Sequence, residues 1–424
     1  MDPATLTSLR HPTLDRRSFI AWPGYRSSLA IDMLDRRVIG TIAKPLAHAS
    51  ADYDQITDAL AAGMGVMLPG EAWRNQLPRD HPKRRSQGFA DQKFHRPAIV
   101  LRPDDRPLGA GFAEAYAEDH LEAELNARAT LSTTPAHVLE RECDTGRAND
   151  LLLAQLSSEA FAAGGRALPA KDRPPTEMRE LYATIIVQGE HAKVPEIIDR
   201  IIGMYAEAWA KGLLASVTGF RVVAANCSQA RIQVMGYATL ALGLQQFTGL
   251  PAIVSGVGDT HLAFLASGVA ATCAGLHGMT FKFPPDRLPE KSDDPEEEDP
   301  GIGVFTYHPA VLGNVGQLGD DGEPKRIALF ANRPCHCGHH EPTRPPHGKV
   351  AIVRHNAHAV SADALEFTSG EVRETEQRIA RRAGVATRER TFLQMIELKT
   401  GFLGVAVAAE ALRGRADAAA GESD

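Results

Sequence analysis

The residue types and spacings most suited to chemistry lie in one short segment late in the chain. Residues 333–340 read Arg-Pro-Cys-His-Cys-Gly-His-His, and a His-Asn pair follows at 355–356. Cys335, Cys337 and His340 are close enough in sequence for one turn to direct two thiolates and an imidazole at a single point. Thiolate and imidazole donors together suit tetrahedral Zn²⁺. The segment therefore predicts a zinc site.

A fourth ligand must come from outside that turn, and His355 is available. Four protein ligands leave no position for water, so the predicted zinc is structural and stabilises a loop-rich segment. A catalytic zinc with three ligands and a water is the alternative, but no Glu general base accompanies the cluster in a recognisable motif. Neighbouring histidines leave the ligand set open: His339 is an alternative to His340, and His347 or His358 to His355.

The elements that must position these residues become regular after residue 180. Continuous apolar strands alternate with amphipathic helices, which indicates a parallel sheet, either a (β/α) barrel or an open doubly wound sheet. In both folds the chemistry belongs at the carboxyl ends of the strands, here around Gln188, Asn226, residues 256–259 and His277. The predicted strands are 182–188, 220–225, 252–257 and 269–276, and the predicted helices are 196–209, 232–247 and 260–267.

The first half of the chain is less regular. Its pattern predicts helices over 53–62, 114–127 and 151–163 and strands over 64–68 and 98–101. Residues 129–138 are predicted to form a strand followed by a loop, with Pro135 marking the end of the strand. The charged, proline-rich residues 78–97 are expected to form a loop.

The composition is that of a folded protein without a membrane span. The chain has 424 residues, a formal charge of −7, 43% hydrophobic and 23% charged residues. The apolar stretch 262–276 is too short to cross a bilayer, and the amino terminus has no signal-peptide pattern. Five cysteines in so long a chain do not form a disulfide scaffold. A cytoplasmic protein with reduced thiols is expected, and the acidic residues 284–300 read as an exposed loop.

Four motifs, in order along the chain, resemble the tRNA-guanine transglycosylase superfamily, which includes DNA-acting 7-deazaguanine members. The resemblance covers roughly residues 182–380. Residues 185–189 resemble the family's I-V-Q-G-G strand end, 218–225 its G-Y-A-I-G-G-L strand, 254–258 with 266–269 its M-G-V-G…A-x-G-V-D segments, and 335–340 with 355–356 its zinc motif C-x-C-x-x-C…H-N.

The resemblance implies a fold and a domain organisation. It implies a (β/α)8 TIM barrel with a zinc-binding insertion before the last helix. Accordingly, residues 1–330 are expected to form the barrel, residues 331–360 the zinc-binding subdomain, and residues 361–424 a C-terminal helical segment that completes the barrel.

The resemblance also implies an activity: guanine in DNA or tRNA is replaced by a 7-deazaguanine of the preQ0 or preQ1 type through a glycosyl-enzyme intermediate. An Asp attacks the ribose anomeric carbon, since an oxocarbenium-like transition state needs a carboxylate on one face, and a second Asp is the general acid/base. The base must first leave its stack. The family's base-reading glutamine matches Gln188. The alternative is that Gln188 is simply a polar residue at the end of a strand. The expected base-binding residues are Gln188, Gly189, Ala224, Ala225, Asn226, Gly256 and Gly258.

The sequence departs from the family at the catalytic positions. The family's G-V-D-M-F-D reads G-V-A-A-T-C at 268–273, so the nucleophile falls on Cys273. A thiolate can attack an anomeric carbon, but a buried Cys in an apolar run is more often core packing. No counterpart of the family's D-S-G-G-F-Q is found. Asp259 is the nearest carboxylate at a strand end. The remaining candidates are Asp32 and Asp35, for which the alternative is an exposed carboxylate or a helix cap.

Two functional hypotheses follow. The first is an enzyme that exchanges bases in nucleic acid and binds a 7-deazaguanine. The second is a catalytically silent subunit that keeps the barrel and the zinc and binds nucleic acid or an active partner; loss of the nucleophile favours it. A homodimer, or a heterodimer with an active transglycosylase, is the expected assembly. Two carboxylates facing each other across the barrel mouth would favour the enzyme, and an apolar mouth the subunit.

Overall fold

Eight parallel strands close into a barrel in the computed structural model of the protein, which confirms the predicted (β/α)8 fold. The strands are β1 (Ser18–Trp22), β2 (Thr41–Ala43), β3 (Gly65–Met67), β4 (Leu131–Thr133), β5 (Glu180–Gln188), β6 (Gly219–Ala225), β7 (Ala252–Ser255) and β8 (Ala271–Gly275). The structure describes residues 18–22, 34, 39–50, 52–96, 101–102, 106–139, 141–165, 180–228, 230–275, 306–311, 313–315 and 322–368.

Helices follow the strands and cover the outside of the barrel. They are α1 (Tyr53–Ala61), α2 (Pro82–Arg85), α3 (Gln87–Ala90), α4 (Ala110–Asn126), α5 (Asp144–Ala160), α6 (Gly189–Ala192), α7 (Pro195–Ala210), α8 (Arg231–Thr248), α9 (His261–Ala266), α10 (Gly322–Asn332) and α11 (Lys349–Thr368). None of these helices combines the length and the apolar content needed to cross a lipid bilayer.

Strand pairing is uneven around the barrel. Strands β5 and β6 pair along their whole length, from Tyr182 opposite Gly219 to Gln188 opposite Ala225. Strand β8 pairs with β1 and closes the ring. Between β3 and β4, in contrast, the register contains the single pair Met67 and Leu131. The barrel wall therefore has a seam between β3 and β4.

Alternation along each strand separates the barrel interior from the layer beneath the helices. On β5, Leu181, Ala183 and Ile185 belong to the main hydrophobic core, whereas Tyr182 belongs to a separate cluster inside the barrel. Because both faces are buried, the strands read as continuous apolar runs. The interior cluster consists of Ile20, Ala43, Met67, Leu131, Tyr182, Ile253, Ala271 and Cys273.

Most predicted elements lie within a few residues of the observed ones, and one prediction is wrong. The expected loop 78–97 contains the two short helices α2 and α3. Pro82 begins α2 because a proline is well suited to the first helical position. Strands β1 and β2 were not predicted. Most of the predicted strand 98–101, together with His277 and residues 284–300, lies outside the described residues.

A two-stranded antiparallel sheet and two helices follow the barrel strands. Strand β9 (Thr306–His308) pairs with β10 (Gly313–Val315), then comes α10, the cysteine segment and α11. Helix α11 packs against α9 and β1, which is the place of the last barrel helix. It runs without interruption across the predicted boundary at residues 360 and 361.

Candidate metal centre and barrel mouth

The structure brings the four predicted metal ligands together. The candidate ligand atoms of Cys335, Cys337, His340 and His355 all lie within 4.8 Å of one another. His355 Nδ1 is 3.3 Å from Cys337 Sγ and 3.1 Å from His340 Nε2. Four atoms at about 2.0–2.3 Å from a shared centre in a tetrahedron are about 3.3–3.8 Å apart. The donor set fits a metal ion, and the distances from His355 Nδ1 to Cys337 Sγ and His340 Nε2 come close to those of such a tetrahedron.

Two elements supply these ligands. Three come from the loop between α10 and α11, in which the amide of Cys335 donates to the carbonyl of Pro342 at 2.9 Å. Gly338 has a φ of 77°, a conformation that favours glycine, and it lies between two of the ligands. The fourth, His355, lies within α11 and is fully buried. The loop is thereby joined to the last barrel helix.

Backbone carbonyls set the orientation of both histidine rings. His355 Nε2 donates to the carbonyl of Tyr307 at 2.5 Å, and His340 Nδ1 lies 2.8 Å from the Glu341 carbonyl and 2.7 Å from that of Arg344. Because a carbonyl only accepts, these nitrogens carry the ring protons. The lone pairs of His355 Nδ1 and His340 Nε2 then face the shared centre, as in known metal sites.

Strand β9 is tied to α11 through Tyr307. Its amide donates to Asn356 Oδ1 at 2.8 Å, its carbonyl accepts from His355, and its hydroxyl donates to Asp363 Oδ2 at 2.6 Å. All these side chains are buried. The His-Asn pair of the sequence therefore has two parts: His355 is a candidate ligand, and Asn356 holds the strand that orients it.

The centre is shielded on one side by an aromatic ring, and its two thiols lie close enough to interact. Phe330 of α10 is fully buried, and its ring centroid lies 5.4 Å from that of His340 and 5.9 Å from that of His355. A hydrogen bond between the two thiols lowers the pKa of Cys337 and raises that of Cys335.

The other nearby histidines point elsewhere. The ring of His339 packs edge-on against that of His358, with centroids 5.2 Å apart. His347 is exposed and lines a surface cleft. Of the ligand sets left open by the sequence, the structure assembles the one with His340 and His355.

The predicted base-binding residues lie at the carboxyl ends of β5, β6 and β7. Gln188 Nε2 donates to the Leu139 carbonyl at 2.6 Å, and its Oε1 accepts from Asn226 Nδ2 at 3.3 Å. A Cβ on Gly189 would lie 2.7 Å from the Asn226 carbonyl. Two amide side chains are therefore held side by side where these strands end.

The remaining predicted base-binding residues occupy different faces. Ala225 lies inside the barrel, whereas Ala224 packs beneath the helices, so only its backbone can face the mouth. Gly256 and Gly258 lie in the turn after β7 with φ values of 81° and 56°. Both belong to the positive φ region that glycine tolerates.

Cys273 has the character of a core residue. It is 2% exposed, lies in the interior apolar cluster, and burial raises its pKa to about 12. Its thiol is therefore protonated at neutral pH, which is unfavourable for a nucleophile. The backbone of Asp259 lies in the turn Gly258–Thr260 directly after β7. Asp32 and Asp35 lie outside the described residues.

A buried arginine inside the barrel was not singled out from the sequence. Arg221 of β6 alternates with Phe220 and Val222, which face the helices, so its side chain enters the barrel. It is 8% exposed. The sequence shows one sign of it: a charged residue stands within the otherwise apolar strand G-F-R-V-V-A-A.

A carboxylate also closes the seam between β3 and β4. Glu124 of α4 is fully buried, and it accepts hydrogen bonds from Gly70 N at 3.1 Å and Thr133 N at 2.6 Å, one from each side of the seam. Burial raises its pKa to about 8, although these hydrogen bonds act in the opposite direction. In the sequence it lies within the helix predicted over 114–127, with no sign of its burial.

Glu71 is a second carboxylate that the sequence did not reveal. It follows β3, is only partly buried, and has a φ of 52°, which is uncommon for a residue with a side chain. Its carboxylate pairs with Arg74 at 2.5 Å. Such strained positions concentrate at functional sites.

Comparison of the chain with protein-family models and with curated proteins finds no match.

Proposed function

We propose that the four-ligand cluster binds Zn²⁺ and that the ion is structural. Two sulfur and two nitrogen donors are a typical set for this metal, and four protein ligands leave no site for a reacting water. The fully buried Phe330 and the hydrogen-bonded histidine rings support the same role. The ion would stabilise the segment between the barrel strands and α11.

We further propose that the protein is a base-exchanging transglycosylase that replaces guanine in DNA or tRNA by a 7-deazaguanine. The observation that carries this proposal is the order of parts. A closed eight-stranded barrel is followed by an insertion with a Cys2His2 cluster, and the last ligand lies on the last barrel helix. That order is what the resemblance to the superfamily implies.

The residues at the mouth suit the steps of such an exchange. The amides of Gln188 and Asn226 can donate to and accept from a purine edge. A carboxylate, proposed to be that of Asp259, forms a bond to the ribose anomeric carbon while the bond to guanine breaks, and a carboxylic acid supplies the proton that guanine takes with it. The incoming 7-deazaguanine returns this proton as it displaces the carboxylate. Glu71, partly exposed after β3, is the residue we propose for proton transfer.

One observation favours the second candidate, a catalytically silent subunit. In the register of the family nucleophile the chain has Cys273, which is buried and protonated. A subunit that binds nucleic acid or an active transglycosylase needs the barrel and the zinc but no nucleophile. A heterodimer would then supply the activity.

Incubation of the purified protein with a labelled 7-deazaguanine base and either tRNA or duplex DNA distinguishes these candidates. We expect incorporation into one nucleic acid, abolished by Asp259→Asn and reduced at least 100-fold by Glu71→Gln. Glu207→Gln, at an exposed pair with Lys211 on α7, is the control and should keep full activity.

One result would count against the proposed nucleophile, and another against the enzyme. Incorporation that survives Asp259→Asn would exclude the proposed nucleophile. No incorporation by the protein alone, together with activity when an active transglycosylase is added, would favour the subunit.

A further inference from the structure

Arg221 lies deep in the barrel without a hydrogen-bond partner among the described residues. It is 8% exposed, and its Nε is fully buried and unsatisfied. Two residues before it is Gly219, where a Cβ would lie 2.3 Å from the Tyr182 ring. The ring of Tyr182 therefore fills the space towards the amino ends of the strands, and the room for a ligand lies towards the mouth.

Two hydroxyl groups lie on the strands that flank Arg221. Thr184 of β5 is paired in register with Arg221, and Ser255 of β7 is two residues nearer the mouth than Ile253, which is also paired with Arg221. Both side chains point inward, are at least nine-tenths buried, and have hydroxyl oxygens without a partner among the described residues. Buried polar groups are nearly always hydrogen-bonded, so three such groups around one space point to a ligand.

No carboxylate among the described residues forms an ion pair with Arg221, although Glu124 and Glu71 are near enough to raise its pKa in part. Cys273 carries a neutral thiol because burial raises its pKa to about 12, and burial raises the pKa of Glu124 to about 8. Glu71 is engaged by Arg74. A buried guanidinium without a paired anion is costly, and burial lowers the pKa of Arg221 accordingly.

We propose that Arg221, Thr184 and Ser255 form a binding site for a small oxyanion, either the carboxylate or the phosphate group of a ligand. The planar guanidinium offers paired N–H donors that match two oxygens of such a group, and the two hydroxyls can donate to it as well. The site lies beneath the predicted base-binding residues and does not depend on base exchange. A ligand that enters the mouth and reaches this site should therefore carry a negatively charged group.

Thermal unfolding of the full-length protein tests this site, with chloride replaced by inorganic phosphate or by acetate at constant ionic strength. We expect one of the two anions to raise the unfolding midpoint saturably, by about 3 °C at one hundred times its dissociation constant. Arg221→Met should abolish the rise. It should also unfold no earlier than the natural protein in chloride, because it removes an unpaired charge.

Matched variants keep the test decisive. Arg200→Met removes an exposed arginine paired with Asp144 and should keep the full anion response. Ser255→Ala and Thr184→Val each remove only a hydroxyl group and should weaken the rise in the unfolding midpoint with anion. These two variants provide the readout if Arg221→Met does not fold. An equal rise in Arg221→Met, or no rise with either anion, would overturn the proposal.

Discussion

At the residue scale, the choice among neighbouring histidines is made by backbone carbonyls. His340 and His355 each donate one ring N–H to a carbonyl, which leaves the other ring nitrogen free to bind a metal. His339 has the same side chain one position away, but its ring packs against His358. Sequence spacing alone could not separate these histidines, because His340 is oriented by carbonyls of its own folded loop and His355 by Tyr307 of strand β9, far away in the chain.

This difference gives a paired prediction. Loss of a group that hydrogen-bonds to a metal ligand typically lowers metal affinity by roughly 10–100-fold. His340→Ala removes a ligand itself, so it should lower the affinity for zinc by more than that. His339→Ala should leave the affinity unchanged. Competition with a chromogenic chelator measures both. Equal losses in the two variants would mean that the ligand set is wrong.

Cys273 is predicted to be unreactive. Its burial and raised pKa keep the thiolate scarce, whereas Cys143 is partly exposed at the start of α5. Iodoacetamide at pH 7.5 should therefore modify Cys143 and leave Cys273 intact, as read by peptide mass spectrometry. Rapid modification of Cys273 in the folded protein would instead support its role as a nucleophile.

Glu124 gives the stability a predicted pH dependence. Its folded pKa of about 8 lies above the ordinary 4.5, so between these values the folded protein holds a proton that the unfolded chain has lost. The free energy of unfolding should therefore fall as pH rises through this window, by up to about 1.4 kcal/mol per pH unit. Glu124→Gln cannot titrate and should lack this contribution.

Urea unfolding at pH 5, 6.5 and 8 measures the effect. The stability of Glu124→Gln relative to the natural protein should increase with pH. Glu122→Gln, at an exposed position on the same helix, should keep the natural pH dependence. A constant difference between Glu124→Gln and the natural protein would contradict the assignment.

At the element scale, regular strand and helix patterns made the second half of the barrel predictable. Strands β5 to β8 are continuous apolar runs because both of their faces are buried, and the helices between them carry one apolar face. Strands β1 and β2 were missed because their apolar segments are short and stand next to charged residues. The anion site was missed for a related reason: Arg221 faces inward by alternation, which becomes visible only when the register is known.

Close packing of α8 on α6 yields a paired prediction. A Cβ on Gly236 would lie 1.8 Å from the backbone carbonyl of Ala192, so Gly236→Ala must push two helices apart. We expect a loss of about 2 kcal/mol or more. Gly203→Ala, in α7 with open space around the position, should instead add about 0.5–1 kcal/mol. Chemical unfolding of both variants checks the contrast, and equal effects would contradict this packing.

At the scale of the whole molecule, the candidate metal centre links the segment after the barrel strands to the barrel itself. Its ligands come from a loop and from α11, which packs against α9 and β1. Removing the ion should therefore loosen β9, the cysteine loop and α11 but leave the long β5–β6 ladder protected. Hydrogen exchange with and without a chelator measures this. Uniform loss of protection across the barrel would contradict a local role.

The most direct test of the account is the metal itself. Elemental analysis and X-ray absorption of the purified protein should find one zinc ion per chain, with two sulfur ligands at about 2.3 Å and two nitrogen ligands at about 2.0–2.1 Å. A protein that stays metal-free when supplied with zinc, or an ion bound by oxygen atoms alone, would contradict the Cys2His2 centre and the family resemblance that rests on it.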